Sequence, residues 1–227
     1  MLPGMQNTQT PGSHAVTGGT GLRPRWLYNL GGGAALILLG LFVIGTTAII
    51  ATIAGVPATG GSFGLLQRNW LVVLFQVNVP ASGVGHDALA LLNPLDLTIM
   101  VLFAVMAWSL YPALRRTGRV WVLVAVALPV LAVPLFLATG TAGRSSLLVS
   151  GLMISVAMLR SDRFSRPDGY IGTVAGLLLF VGGDIATTVF HSSEAIAALI
   201  GVAYVLWVIW LGLIALGLFQ LGHGAAR

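Results

Sequence analysis

From Trp26 to Gln67 the chain carries no charged side chain, and the same is true from Leu97 to Leu114 and from Ser145 to Leu159. These charge-free apolar runs limit the fold more than any other feature. About 20 apolar residues cross the roughly 30 Å hydrocarbon layer of a bilayer. Inside that layer every backbone N–H and C=O must be paired within the segment, so each run has to be a helix. The composition agrees: 57% of the 227 residues are hydrophobic and 7% are charged. Soluble domains hold about 25% charged residues, so this chain cannot coat a water-facing globule.

The expected fold is therefore an all-α polytopic bundle of six transmembrane spans. They fall at about 31–55, 94–114, 120–139, 145–160, 169–190 and 195–221. Residues 1–25, rich in Gly, Pro, Thr and Ser, read as a flexible cytoplasmic tail, with 26–222 as the transmembrane domain and 223–227 as a short cytoplasmic tail. No inverted repeat relates the first three spans to the last three.

All eleven basic residues are Arg, and there is neither Lys nor Cys. Disulfides, thiolate nucleophiles, Cys-ligated metals, Schiff bases and P-loops are thereby excluded. The net charge of +5 sits in short arginine clusters between apolar runs, which argues against nucleic acid and for orienting charge. With six spans, both termini are cytoplasmic. Arg23, Arg25, Arg115, Arg116, Arg119, Arg160, Arg163, Arg166 and Arg227 then all lie inside, and Arg68 and Arg144 outside. Trp26, Tyr28, Trp108, Tyr111, Trp121 and Tyr170 fall at the same inner ends, as an aromatic belt would.

Residues 61–80 do not fit a simple span. They are apolar but contain Gln67, Arg68, Asn69, Gln76 and Asn78, and a mid-membrane Arg costs about 2.5–3.5 kcal/mol on the insertion scale. They read as an outer interfacial or re-entrant element. A crossing here would give seven spans and move the N-terminus outside.

Ionisable residues in or beside the spans are the candidate site. Asp184 follows Gly182-Gly183 near the outer end of span five, and Arg144 opens the short span four, so the two are candidates for an ion pair or a ligand site. Asp96 stands third in Pro94-Leu95-Asp96, a helix start with negative charge at the positive end of the dipole. Glu194, with His86, Asp87 and His191, completes an outward polar set whose spacing forms no metal motif. Tyr204, Trp207 and Trp210 recur at helical spacing near mid-bilayer, as core packing or as the lining of an apolar cavity. Gly172 and Gly176 form a GxxxG pattern, and Ser146 and Ser150 share a helix face, both marks of close helix contact. Pro129 and Pro134 should bend span three. No side chain is assigned a catalytic role, and no metal or cofactor is expected.

LNPLD at 92–96, YPALR at 111–115, AGRS at 142–145, MLRS at 158–161 and GGD at 182–184 resemble uncharacterised bacterial multi-span membrane proteins over about residues 90–220. The resemblance implies a polytopic protein of the bacterial cytoplasmic membrane and carries no activity.

The expected function is that of a non-enzymatic integral membrane protein, structural or accessory or binding lipid or an apolar ligand, with an outward-facing polar cluster. Its partners are the bilayer and a further protein or a second copy of itself. Two alternatives stand: a small-solute or proton-coupled transporter using Asp184 and Arg144, and a membrane-embedded enzyme acting on lipid through His86, Asp184, His191 or Glu194. A topology reporter fused ahead of Met1 should read cytoplasmic. An external signal would replace six spans with seven.

Overall fold

The computed structural model describes residues 25–53, 94–139, 142–182 and 194–224. Among these residues all regular structure is helical, in six helices: α1 Arg25–Ile53, α2 Pro94–Leu114, α3 Arg119–Thr139, α4 Ala142–Leu159, α5 Arg166–Leu179 and α6 Glu194–His223. Four carry stretches long and apolar enough to cross a membrane: Arg25–Thr47, Leu95–Leu114, Arg119–Phe136 and Leu199–His223. In α4 the apolar stretch Ser145–Leu159 is shorter.

Each helix packs against its neighbours in sequence, and α6 closes back on α1, so the six form a ring. Across it α2 also touches α4, and α6 reaches α2 and α4 through its side chains. The layers of the ring can be followed from its close contacts. A β-carbon built on Gly31 of α1 would stand 2.5 Å from the Ser109 hydroxyl of α2 and 3.2 Å from Leu218 of α6. Phe164, between α4 and α5, covers Gly217 of α6, and Gly222 of α6 faces the Arg25 carbonyl of α1. The start of α1, the α2–α3 and α4–α5 connections and the end of α6 therefore share one end of the ring. All the described arginines except Arg144 lie there.

Helix starts follow local chemistry. Pro94 opens α2, where its missing N–H costs nothing, and Asp96 in the first turn is buried. At α5 the Asp168 carboxylate accepts the Ser165 N–H at 3.1 Å, with Pro167 in the first turn. This capping box starts the helix at Arg166, three residues before the 169 expected from hydropathy. Likewise α1 starts at Arg25 rather than 31, because Tyr28 turns inward into the core. The helix of α5 widens into a π-turn over residues 180–182. Pro129 and Pro134 are both accommodated within the continuous α3.

The outside of the ring is apolar. Leu36, Ile37, Val101, Val130, Val205 and Leu216 are all exposed, an exterior that suits lipid and not water. The aromatic belt holds in part. Trp26, Trp108, Trp121 and Tyr170 are exposed within two turns of the arginine end, whereas Tyr28 is buried and Tyr111 is half-buried, stacked with Trp108 at 6.3 Å. The element at 61–80 lies outside the described residues.

Hydroxyls inside the apolar layer are turned back onto the backbone. Thr46, Ser109 and Thr173 donate to the carbonyls of Phe42, Val105 and Gly169, four residues earlier, at 2.8 Å each. Ser150 instead donates across to the Ala125 carbonyl of α3 at 2.6 Å, joining α3 to α4.

Two glycines set a stability test. A β-carbon on Gly143 would lie 2.5 Å from Phe136 Cβ and 2.6 Å from the Ala132 carbonyl oxygen, whereas one on Gly40 would meet nothing within 4 Å. Gly143→Ala should cost about 1–3 kcal/mol through overpacking against backbone. Gly40→Ala should gain up to about 1 kcal/mol from reduced unfolded-state freedom. Thermal unfolding of the two variants in one detergent should place their midpoints on opposite sides of the parent's.

Candidate functional site

Two helices on either side of α1, namely α2 and α6, run in the same direction and send aromatic side chains into the middle of the ring. Phe103 of α2 stacks on Trp207 of α6 with centroids 6.1 Å apart and planes at 8°, and lies 6.5 Å from Trp210. Trp207 and Trp210 stand 4.6 Å apart at 42°. Toward the other end of α6, Tyr204 meets Phe42 of α1 at 6.0 Å. Trp207 is 3% exposed and Trp210 0%.

The opposite wall is shaped to receive them. Gly151 of α4 faces the benzo ring of Trp207, and Gly172 of α5 faces Trp210 Nε1 together with the Ser155 hydroxyl of α4. A side chain at either glycine would occupy the space of an indole ring. Gly176, the second half of the GxxxG pattern, packs on Leu152 of α4, 3.5 Å from where its β-carbon would stand. The small residues thus serve the α4–α5 seam and the indoles at once. Trp207 and Trp210 form one aromatic cluster with Phe103 between α2 and α6, and Tyr204 pairs with Phe42 between α6 and α1.

That cluster holds one polar irregularity. Trp210 Nε1 is buried and has no hydrogen-bond acceptor among the described residues. Its neighbour, the Ser155 hydroxyl, donates to the Gly151 carbonyl at 2.8 Å. Nothing in any one helix marks this meeting of indole and serine at Gly172, because three different helices supply Ser155, Gly172 and Trp210.

The other candidates divide by position. Asp96 is 4% exposed on the first turn of α2, seven residues before Phe103 and so about 10 Å farther along the helix. Arg144 and Glu194 lie on the first turns of α4 and α6, at the ring end that Asp96 shares, but their side chains are outside what is described. Asp184, His86, Asp87 and His191 fall outside the described residues altogether. The ring therefore brings Asp96, Arg144 and Glu194 to one end, opposite the arginine clusters. Among the described residues no three His, Asp or Glu gather as a metal set. Ser150, beside Gly151, has its hydroxyl held by the Ala125 carbonyl of α3, a structural tie.

Comparison with known proteins adds nothing to this geometry: no protein-family model, no curated sequence and no solved structure matches the chain.

A coupled pair of buried indoles has an optical signature. Near-ultraviolet circular dichroism should show strong tryptophan bands that vanish in both Trp207→Phe and Trp210→Phe. Trp26→Phe, at an exposed interfacial position, should leave them in place. Bands that survive either core substitution would mean the two indoles are not held as described.

Proposed function

We propose that this chain is a non-enzymatic integral membrane protein of six spans, with both termini on the cytoplasmic side of a bacterial cytoplasmic membrane. Its ring is a packed scaffold, accessory or lipid-binding in role, rather than a path for solute. The observation that carries this reading is the Phe103–Trp207–Trp210 cluster, which fills the middle of the ring with side chains.

Orientation rests on the gathering of exposed arginines at one end with Trp26, Trp108, Trp121 and Tyr170 just above them. Arginine-rich loops stay on the cytoplasmic side, and amphipathic aromatics mark the headgroup level. The bacterial setting rests on the resemblance carried by LNPLD, YPALR, AGRS, MLRS and GGD. A transporter using Asp184 and Arg144 would need a wet route past the aromatic cluster. A lipid-acting enzyme would rest on His86, Asp184, His191 or Glu194. Ser150, a separate candidate, has its hydroxyl tied to the Ala125 carbonyl of α3.

The absence of cysteine makes this testable. Ser155→Cys places a thiol beside Trp210 in a chain with no other thiol. In the folded protein it should resist a small methanethiosulfonate reagent for as long as the fold persists, and react once sodium dodecyl sulfate unfolds it. Labelling within minutes in the native bilayer would show water in the ring and replace this reading with transport.

A further inference from the structure

We propose that the outward face of α3 around Pro134 is where a transmembrane helix of a partner protein docks, giving a side-chain hydrogen bond to the Val130 carbonyl. The proposal rests on the membrane reading above and names the chemistry of the partner that an accessory scaffold would hold.

A proline inside a helix has no N–H to return to the carbonyl four residues before it. In hydrocarbon such a carbonyl needs another donor, from a neighbouring helix, from water or from a local 3₁₀ or π adjustment. Among the described residues three prolines stand inside helices: Pro112 in α2, and Pro129 and Pro134 in α3. Pro129 is buried, and the carbonyl it deprives, that of Ala125, accepts the Ser150 hydroxyl of α4 at 2.6 Å. Pro112 deprives the Trp108 carbonyl within two turns of the arginine end, on the side where headgroups and water approach.

Pro134 deprives the Val130 carbonyl, and there no such relief is on hand. Val130 stands eleven residues beyond Arg119 and six before Phe136, so about 16 Å and about 9 Å from the two edges of the apolar stretch. No 3₁₀ or π turn occurs in α3, and among the described residues no side chain donates to Val130. Five residues separate the two prolines of α3, so they leave the helix on different sides. Val130 is 54% exposed, Leu131 52%, and Pro134 is exposed as well, so the deprived carbonyl opens away from the ring.

The face around it is shaped for a helix. Val120, Ala127 and Pro134 stand seven residues apart along α3, with Val124, Val130 and Leu131 between them, the spacing that a helix lying alongside covers. Ala127, one turn before Val130, is small enough to let a neighbouring backbone approach. A second copy of this chain is a poor complement. Among the described residues the exposed middle turns of the other helices carry hydrocarbon, as at Ile37, Val101, Leu177 and Val205. The exposed threonines, Thr47 and Thr98, stand within a turn of the far edge of their apolar stretches. Pairing α3 with itself about a two-fold axis would set one deprived carbonyl against another. The occupant is therefore a different chain, with a serine, threonine or carboxamide side chain at the depth of Val130. Ser150 at the Ala125 carbonyl shows the form of the bond.

The test uses a leucine–alanine transmembrane peptide of about 20 residues with one central serine, and the same peptide with leucine there. Each carries a dansyl group and is mixed at trace level with the protein in phosphatidylcholine liposomes, where quenching of tryptophan fluorescence reads association. The serine peptide should bind the parent about threefold tighter than the leucine peptide. Pro134→Ala returns an N–H to the Val130 carbonyl and should abolish that preference. Pro129→Ala returns one to the Ala125 carbonyl, which Ser150 already serves, and should leave it unchanged. Equal binding of the two peptides by the parent, or a preference that survives Pro134→Ala, would overturn the site, and so would equal loss in both variants. A dimer of the parent alone, seen by native mass spectrometry from the same liposomes and lost in Pro134→Ala, would give the face to a second copy instead. Val130→Phe, a bulkier side chain at the exposed position beside the carbonyl, takes the place of Pro134→Ala if that variant fails to reconstitute. The comparison of peptides does not depend on whether the ring is dry, so a negative result here leaves the scaffold reading to its own labelling test.

Discussion

In hydrocarbon an apolar side chain gains nothing by leaving lipid for a neighbouring helix, so helices hold together by shape and by the few polar bonds they can make. Here shape is concentrated where two indoles of α6 enter the notches left by Gly151 and Gly172. Those contacts tie α6 to α4 and α5, the stacking of Phe103 ties it to α2, and closure on α1 completes the ring. Without the glycines, α4 and α5 would stand off by the thickness of a side chain, and the centre of the ring would open. That filling is the observation on which the scaffold proposal rests.

Apart from Trp210 Nε1, the polar side chains whose bonds are described in this interior are turned onto backbone carbonyls. Hydroxyls of Thr46, Ser109 and Thr173 return to their own helices, which hides them without joining anything. Ser150 is different, because its bond to the Ala125 carbonyl crosses between helices and fixes the depth of α4 against α3. Trp121 repeats that crossing nearer the arginine end. Two cross-helix bonds on one seam make α3 and α4 a rigid pair, which is the platform on which the arginines at their ends are presented.

How much of this could be read in the residues depended on whether the signal was local. The α2 limits, Pro94 and Leu114, follow from a proline start with an acid in the first turn and from the arginines after Leu114, and the helix matches the expected span. The start of α5 was also written in Ser165, Pro167 and Asp168, but hydropathy masked it, since a capping box looks like a charged loop until its spacing is counted. Tyr28 reads as a belt residue from its nearness to Trp26; two residues apart on a helix, they face different ways, one exposed and one in the core. Trp207 and Trp210 were visible as an aromatic pair. Their glycine and serine counterparts were not, because a contact between α4, α5 and α6 leaves no periodic trace in any one of them. Asp184 with Arg144 remains a matter of sequence alone.

The unequal helices raise the question of where the bilayer sits. With Ser109 level with Gly31, the first residues of α2 stand at the height of residues 45–47 in α1, counting about 1.5 Å per residue. The 20 residues of Leu95–Leu114 span about 30 Å, the thickness of a hydrocarbon core. Beyond that height α1 runs on to Ile53 and α6 begins as early as Glu194, and both extensions are apolar in sequence, AIIATI at 48–53 and AIAA at 195–198. A helix whose apolar stretch exceeds the hydrocarbon layer tilts or thickens the bilayer around it, so α1 and α6 meet a mismatch that α2 does not.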